Sequence, residues 1–199
     1  MAKDFFQAVT KRRSYYNISD EPVISDEKIE ELVETSILHT PTAFNSQSGR
    51  ILLLLKEEHN KFWDITMEAL RKVVNADDFK PTKDKVNSFK AGYGTVVYYE
   101  DDNITKGLQE SFPPYAHNFP KWAEQSNGIL QFVVGVSLEE EGFGASLQHY
   151  NELIEEDVRK EWNIPESWRM IAQMPFGKPL EEPGEKEFAP LEDRIRVFK

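Results

Sequence analysis

The 199-residue chain contains no cysteine. That excludes a disulfide scaffold, a zinc–thiolate site, an iron–sulfur cluster and a cysteine nucleophile. Its longest apolar run, Ile51 to Leu55, is far too short to span a bilayer. Positive charge is in deficit: 24 Lys+Arg stand against 35 Asp+Glu, for a net charge of -11. A field of that sign disfavours nucleic acid and anionic lipid as partners, because both need a basic surface. The four histidines (His39, His59, His117 and His149) lie far apart with no pair at ligand spacing, so no metal site is expected. There is no Walker motif and no G-x-S-x-G elbow. Gly92-Tyr93-Gly94 and Gly142-Phe143-Gly144 are fragments that do not complete the G-x-G-x-x-G dinucleotide loop. The opening Met1-Ala2-Lys3-Asp4 is not a signal peptide, so the expected location is cytoplasmic.

What is present fits one folded domain over residues 1–199. The length suffices for a self-sufficient core, and a hydrophobic content of 39% excludes a disordered chain. A first helix is predicted from about Asp4 to Arg13. A second starts at an N-cap Ser25, carries Ile29, Leu32, Val33 and Ile37 at helical spacing, and stops near His39 ahead of Pro41. The loop Pro41 to Gly49 is polar and rich in amides and hydroxyls. Ile51 to Leu55 reads as a strand buried on both faces. Helices follow over Glu57 to Val74 and Pro81 to Lys90, then a buried strand over Thr95 to Tyr99. Asp101 to Pro120 reads as a polar surface excursion covering a site, with Asn103 to Pro120 as a lid.

Lys121 to Leu138 reads as a helix almost without a polar face. Such a helix must be covered on all sides, which in a chain this small calls for a second subunit. A Gly-punctuated turn at Gly142 to Ser146, a helix over Asn151 to Trp162 and a strand over Trp168 to Phe176 come next. Gly177 to Pro190 reads as a polar arm, and Arg194 to Phe198 as a final strand. Long helices between strands indicate an α+β or α/β three-layer fold.

The positive charge that exists is clustered. Lys11-Arg12-Arg13 lies near one end and Arg194, Arg196 and Lys199 at the other. If the ends meet, they form an anion site. Alternatively, the first group caps a helix C-terminus and the second is the solvent face of a strand. The donors Arg12, Arg13, Ser14, Asn45, Gln47, Arg194 and Arg196 come with no evident nucleophile. They suit a flat, anionic, hydrogen-bonding ligand that brings its own reactivity.

Arg12-Arg13-Ser14 and Ala43-Phe44-Asn45-Ser46-Gln47 resemble the nitroreductase family of FMN-dependent NAD(P)H oxidoreductases. The likeness is to its compact subgroup of about 200 residues, the fatty-acid-repression-type and copper-induced nitroreductases. Gly142-Phe143-Gly144-Ala145-Ser146-Leu147-Gln148-His149-Tyr150-Asn151, Met174-Pro175-Phe176-Gly177-Lys178-Pro179 and Arg194-Ile195-Arg196-Val197-Phe198 continue it in order.

The resemblance implies a three-layer α+β sandwich. Its central, mostly antiparallel sheet is flanked by helices, and two chains intertwine as a homodimer with FMN at each of two interface sites. It implies that Arg12, Arg13 and Ser14 contact the flavin's phosphate, ribityl or pyrimidine side, with Arg194 and Arg196 completing the phosphate site. Asn45 and Gln47 would bond the ring or ribityl edge, and the backbone of Gly142, Phe143 and Gly144 would lie near the ring. No protein residue is then catalytic: hydride passes from NADH or NADPH to flavin N5 and on to a nitroaromatic, quinone or related acceptor, by a ping-pong mechanism. The resemblance leaves room for a flavin-binding regulator without turnover, or for a dimer that keeps the fold without the cofactor. Tyr15 and Tyr16 stand where many members carry a basic residue, and Gln47-Ser48-Gly49 where Gln-Pro-Trp is usual.

Overall fold

The computed structural model describes residues 4–199. Among these, seven α-helices and five strands follow in the order α1 (Phe5–Lys11), β1 (Ile18–Ser19), α2 (Asp26–His39), β2 (Gly49–Leu55), α3 (Lys56–Val73), α4 (Phe79–Lys90), β3 (Gly94–Asp101), α5 (Asp102–Ser111), α6 (Phe119–Glu141), β4 (Gly144–Ala145), α7 (Asn151–Trp162) and β5 (Trp168–Pro179). The sheet is antiparallel in order β1-β5-β3-β2, with β4 also paired to β5. The expected α+β sandwich with a central antiparallel sheet is therefore what forms.

The pleat of β3 builds the three layers. Alternate residues point to opposite faces, so Val97 and Tyr99 join Phe62, Trp63, Leu70, Phe89, Ile154 and Val158 from α3, α4 and α7. Val96 and Tyr98 join Ile29, Val33, Leu130, Val134 and Leu138 from α2 and α6 on the other face. At the sheet's end, Gly94 admits the Phe176 ring and Leu55, since a Cβ there would lie 2.5 Å and 2.7 Å from them.

Four expectations are corrected. β2 pairs only with β3 and is an edge strand, with Leu54 alone fully buried, so Ile51 to Leu55 is not the fully enclosed strand expected. Both faces pack, Leu52 and Leu54 on one core and Ile51, Leu53 and Leu55 on the other, but the open edge leaves all except Leu54 only partly buried. The polar excursion after Asp101 is largely helical. Asp101 caps α5 by accepting from the Asn103 N–H at 3.2 Å, and a 3-10 turn over Pro113–Asn118 leads into α6. Its inward face is only Ile104, Thr105 and Leu108, two aliphatics and a hydroxyl, which is easily lost among polar neighbours.

Helix α6 starts earlier than expected, at Phe119, and this chain alone leaves one face of it open. Leu130, Val134 and Leu138 face the sheet, while Ile129 and Phe132 remain about two-fifths exposed at 43% and 42%. Finally, Arg194 to Phe198 is not a strand. A 3-10 turn at Leu191–Asp193 gives way to an exposed tail. An alternating sequence needs a neighbouring strand to pair with, and the described residues present none there.

Candidate functional site

Two of the sequence-derived motifs meet directly. Helix α1 is capped at its start by Asp4, which accepts from the Gln7 N–H at 3.0 Å, and ends at Lys11, so Arg12-Arg13-Ser14 leave it in extended form. Ser14 then bridges Ala145 in parallel pairing, and the Tyr15 N–H donates to the Ala145 carbonyl at 3.1 Å. The Gly142 to Ser146 segment can receive this chain because of its glycines. Gly142 closes α6 at φ 98°, a left-handed cap. At Gly144 a Cβ would lie 2.6 Å from the Tyr15 ring.

The junction opens into a cleft of about 390 Å³ lined by Arg12, Arg13, Ser14, Phe143, Ala145, Leu147 and one face of α6. That face is Gly128, Gln131, Phe132, Gly135 and Glu139. Gly128 and Gly135 put no side chain into the space, so the helix offers a smooth wall beside two guanidinium groups. The Arg13 Nη1–H also donates to the Gly184 carbonyl at 2.8 Å, which ties the C-terminal arm over this end. Burial, together with the negative charges of Glu139 and Glu182, raises the Tyr15 phenol. Tyr15 therefore stays neutral beside the arginines. It is a packing residue here, where a base would add positive charge.

Asn45 and Gln47 lie elsewhere. Their loop is wound tightly, with Phe44, Asn45 and Gln47 all at left-handed φ of 57°, 51° and 48°. Such angles are uncommon for residues with a Cβ and gather at functional loops. Phe44 is held by rings from after α5 and from α6, its centroid 5.0 Å from Phe112, 5.3 Å from Phe119 and 6.0 Å from Trp122.

Gln47 lines a second cleft, of about 230 Å³, with Thr42, Gly49, Arg50, Glu100, Ser126, Asn127, Leu130 and the end of α2. The two clefts share no lining residue. Asn127 and Gln131 join them: Asn127 Oδ1 accepts from Gln131 Nε2 at 2.7 Å, and its Nδ2 donates to Glu100 Oε1 at 2.9 Å. Burial pushes the Glu100 carboxyl up, countered in part by the nearby Ser48 hydroxyl, the Asn127 amide and the charges of Arg169 and Arg50.

One chain thus assembles Arg12, Arg13, Ser14, Phe143 and the flanking Gly142 and Gly144. It does not bring Asn45, Gln47, Arg194 or Arg196 to them; the last two are exposed in the tail and line neither cleft. Gln131, Glu100 and Asn127 escape the sequence reading. Their signal was available, as amides one helical turn apart inside an apolar helix and an acid continuing the inward phase of Val96 and Tyr98. A third groove, of about 580 Å³, is lined by Asp20, Asp26, Glu27 and Glu57 with Lys56. Lys56 is paired to Asp26 there, so its charge is spent internally and the groove repels an anion.

The donor set of the first cleft fits FMN. Two arginine forks and a hydroxyl match a phosphate dianion, and the smooth helix wall with its apolar flanks matches a flat ring. A sequence model of the nitroreductase family matches residues 9–178. Two Saccharomyces cerevisiae proteins are similar to the chain along its length. HBN1 is 36% identical, over 98% of this chain and 96% of its own. The nitroreductase FRM2 is 30% identical, over 98% and 97%. Among solved structures, nitroreductase CinD from Lactococcus lactis in complex with chloramphenicol is 40% identical. It superposes with a TM-score of 0.90 over 98% of this chain and 100% of its own. A flavin mononucleotide complex from Exiguobacterium sibiricum shares the fold at a TM-score of 0.72 with 14% identity, over 100% and 99%. No described helix is long and apolar enough to cross a membrane. The motif order, the sandwich and these likenesses agree: the chain belongs to the nitroreductase family.

Proposed function

We propose that the protein is an FMN-dependent oxidoreductase that takes reducing equivalents from NADH or NADPH and passes them to small nitroaromatic, quinone or related acceptors. The observation that carries this reading is the cleft in which Arg12, Arg13 and Ser14 stand beside the smooth wall of α6. The relatives support it: CinD has been seen with chloramphenicol and with 4-nitrophenol, and the Exiguobacterium protein with FMN. FMN, when bound, supplies the hydride chemistry.

The chain's own residues bind and orient. Arg12 and Arg13 hold the phosphate through charge-assisted hydrogen bonds, with Ser14 adding a hydroxyl. Gln131, reaching into the cleft from α6, offers an amide at the ring or ribityl edge. Phe143, anchored against Phe176 with ring centroids 5.2 Å apart, fixes the Gly142 to Gly144 backbone, which would help hold the ring. Donor groups near the ring's pyrimidine edge favour the reduced, more negative state.

The active unit is a homodimer. Two clefts without a common residue, exposed Ile129 and Phe132 on α6, and half-exposed Phe44 and Tyr115 support that reading. A second copy would cover this apolar surface, and it would bring Asn45 and Gln47 of one chain to Arg12 and Arg13 of the other. The exposed tail carrying Arg194 and Arg196 would gain a partner in the same way. The test is FMN titration of the stripped protein, followed by flavin fluorescence alongside the mass in solution. One FMN per protomer of a dimer is expected, and a protein that takes up no FMN overturns the reading.

A further inference from the structure

Glu100 is an acid in a place where charge is costly. It lies near the end of the central strand β3, is fully buried, and makes no ion pair among the described residues. The charges around it are committed elsewhere. Arg50 on β2 binds Asp101 at 3.1 Å and the carbonyls of Gln47 and Gly49. Arg169 on β5 binds Asp102 at 3.3 Å and lies 3.7 Å from Glu124 of α6. A buried carboxyl without a cation takes up a proton in preference to ionising.

The hydrogen bonds say which oxygen holds that proton. Gln131 donates to Asn127 Oδ1, and Asn127 Nδ2 donates both to the Tyr99 carbonyl at 3.1 Å and to Glu100 Oε1. Oε1 is therefore an acceptor. Oε2 is buried with no partner in hydrogen-bond geometry: the Ser48 hydroxyl is near the carboxyl, but its contact is with Ser46 Oγ at 3.4 Å. The acid lines the cleft of Gln47, Ser126 and Leu130. Buried polar atoms are rarely left unpaired, so an orphan donor at a cleft floor is poised to pair with whatever occupies the cleft.

We propose that Glu100 is a ligand-binding residue of the Gln47 cleft: its Oε2–H donates a hydrogen bond to an acceptor atom (a carbonyl oxygen, nitro oxygen or ring nitrogen) on an uncharged, planar ring or group seated there. The cleft's apolar sides, Ile37, Leu38 and Leu130, suit such a group, and a cation would instead draw the proton off. The acceptor atom belongs either to the edge of bound flavin or to a separate small oxidant. Only the first of these sources rests on the flavin reading.

Carboxyl carbon NMR of the whole protein labelled with 13C-glutamate tests this, the Glu100 signal being assigned through bonds from the β3 backbone. At about pH 6.5, where exposed glutamates are ionised, Glu100 is expected to give the signal of a protonated acid. That signal is expected to move on adding FMN, which marks the flavin edge, or only on adding nitrobenzene, which marks a separate oxidant. An ionised Glu100, or a signal that neither compound moves, overturns the proposal. A protein that takes up no FMN yet shows a protonated Glu100 responding to nitrobenzene removes the flavin reading and keeps this one. In variants, Glu100→Gln mimics the neutral acid and is expected to hold the responding compound within about threefold of the parent, while Glu100→Leu loses about tenfold. Equal binding by parent and Glu100→Leu also overturns the proposal.

Discussion

His59 is fully buried on α3, and its two ring nitrogens are both used. Nε2 lies 3.2 Å from the Lys90 carbonyl and Nδ1 2.8 Å from the Thr95 hydroxyl, whose oxygen also accepts from the Trp63 indole N–H at 2.9 Å. A carbonyl can only accept, so the hydrogen sits on Nε2 and Nδ1 accepts from Thr95. A second proton would have to enter at Nδ1, against that hydroxyl and away from water. Burial accordingly lowers this imidazole from 6.5 to about 4. The folded pKa is depressed, so between those values the unfolded chain holds more protons and stability rises with pH. The contribution is complete above about pH 6.5 and is lost as pH falls to about 4, a change of about 3 kcal/mol.

His59→Gln keeps an N–H for the Lys90 carbonyl and does not titrate. Urea unfolding followed by tryptophan fluorescence, at fixed protomer concentration, gives both stabilities across this range. The parent is expected to lose about 3 kcal/mol more than the variant between about pH 7 and pH 4. Carboxylates that titrate in the same range are common to both proteins and cancel in the difference. Parallel pH profiles for the two proteins refute the reasoning.

Other substitutions probe the site and the assembly. Arg12→Ala and Arg13→Ala should each weaken FMN binding by about 10–100-fold, the value of a charge-assisted phosphate contact; if fluorescence titration finds both unchanged, the phosphate lies elsewhere. Ile129→Glu places a charge on the exposed face of α6, and light scattering should then report a monomer that no longer retains FMN. A fully dimeric, yellow variant would contradict the proposed interface. Gly177→Ala puts a Cβ 2.4 Å from the Ser19 carbonyl oxygen and 3.0 Å from the Gly92 Cα. Backbone must move, at a cost of about 1–3 kcal/mol, and an unchanged melting temperature would show that β1 does not pack there as described.

Much of the fold was legible because burial writes periodicity into sequence. The stripe Ile29, Leu32, Val33 and Ile37 placed α2, and Val96 to Tyr99 placed the central strand. What failed depended on neighbours that local sequence does not encode. Ile51 to Leu55 looks the same whether its strand is central or at an edge. Arg194 to Phe198 alternates as a strand should, but alternation supplies no partner to pair with. Helix α5 was hidden because its two aliphatics, Ile104 and Leu108, are outnumbered by polar residues and flank Gly107.

The site divided in the same way. Arg12, Arg13 and Ser14 were visible as scarce positive charge in an acidic chain. Their union with Gly142 to Gly144 required the resemblance, since nothing in the spacing says that positions 14 and 145 touch. Glu100, Asn127 and Gln131 belong to a polar chain between a strand and a helix. Each is an ordinary polar residue until the fold aligns them.

The visible spectrum of the purified protein loaded with FMN, recorded without oxygen before and after adding NADH or NADPH, tests the central claim most directly. The account predicts flavin absorption that bleaches with one or both nucleotides and returns when a quinone or nitroaromatic is added. Flavin that stays oxidised with both nucleotides, or a protein that holds none, contradicts it.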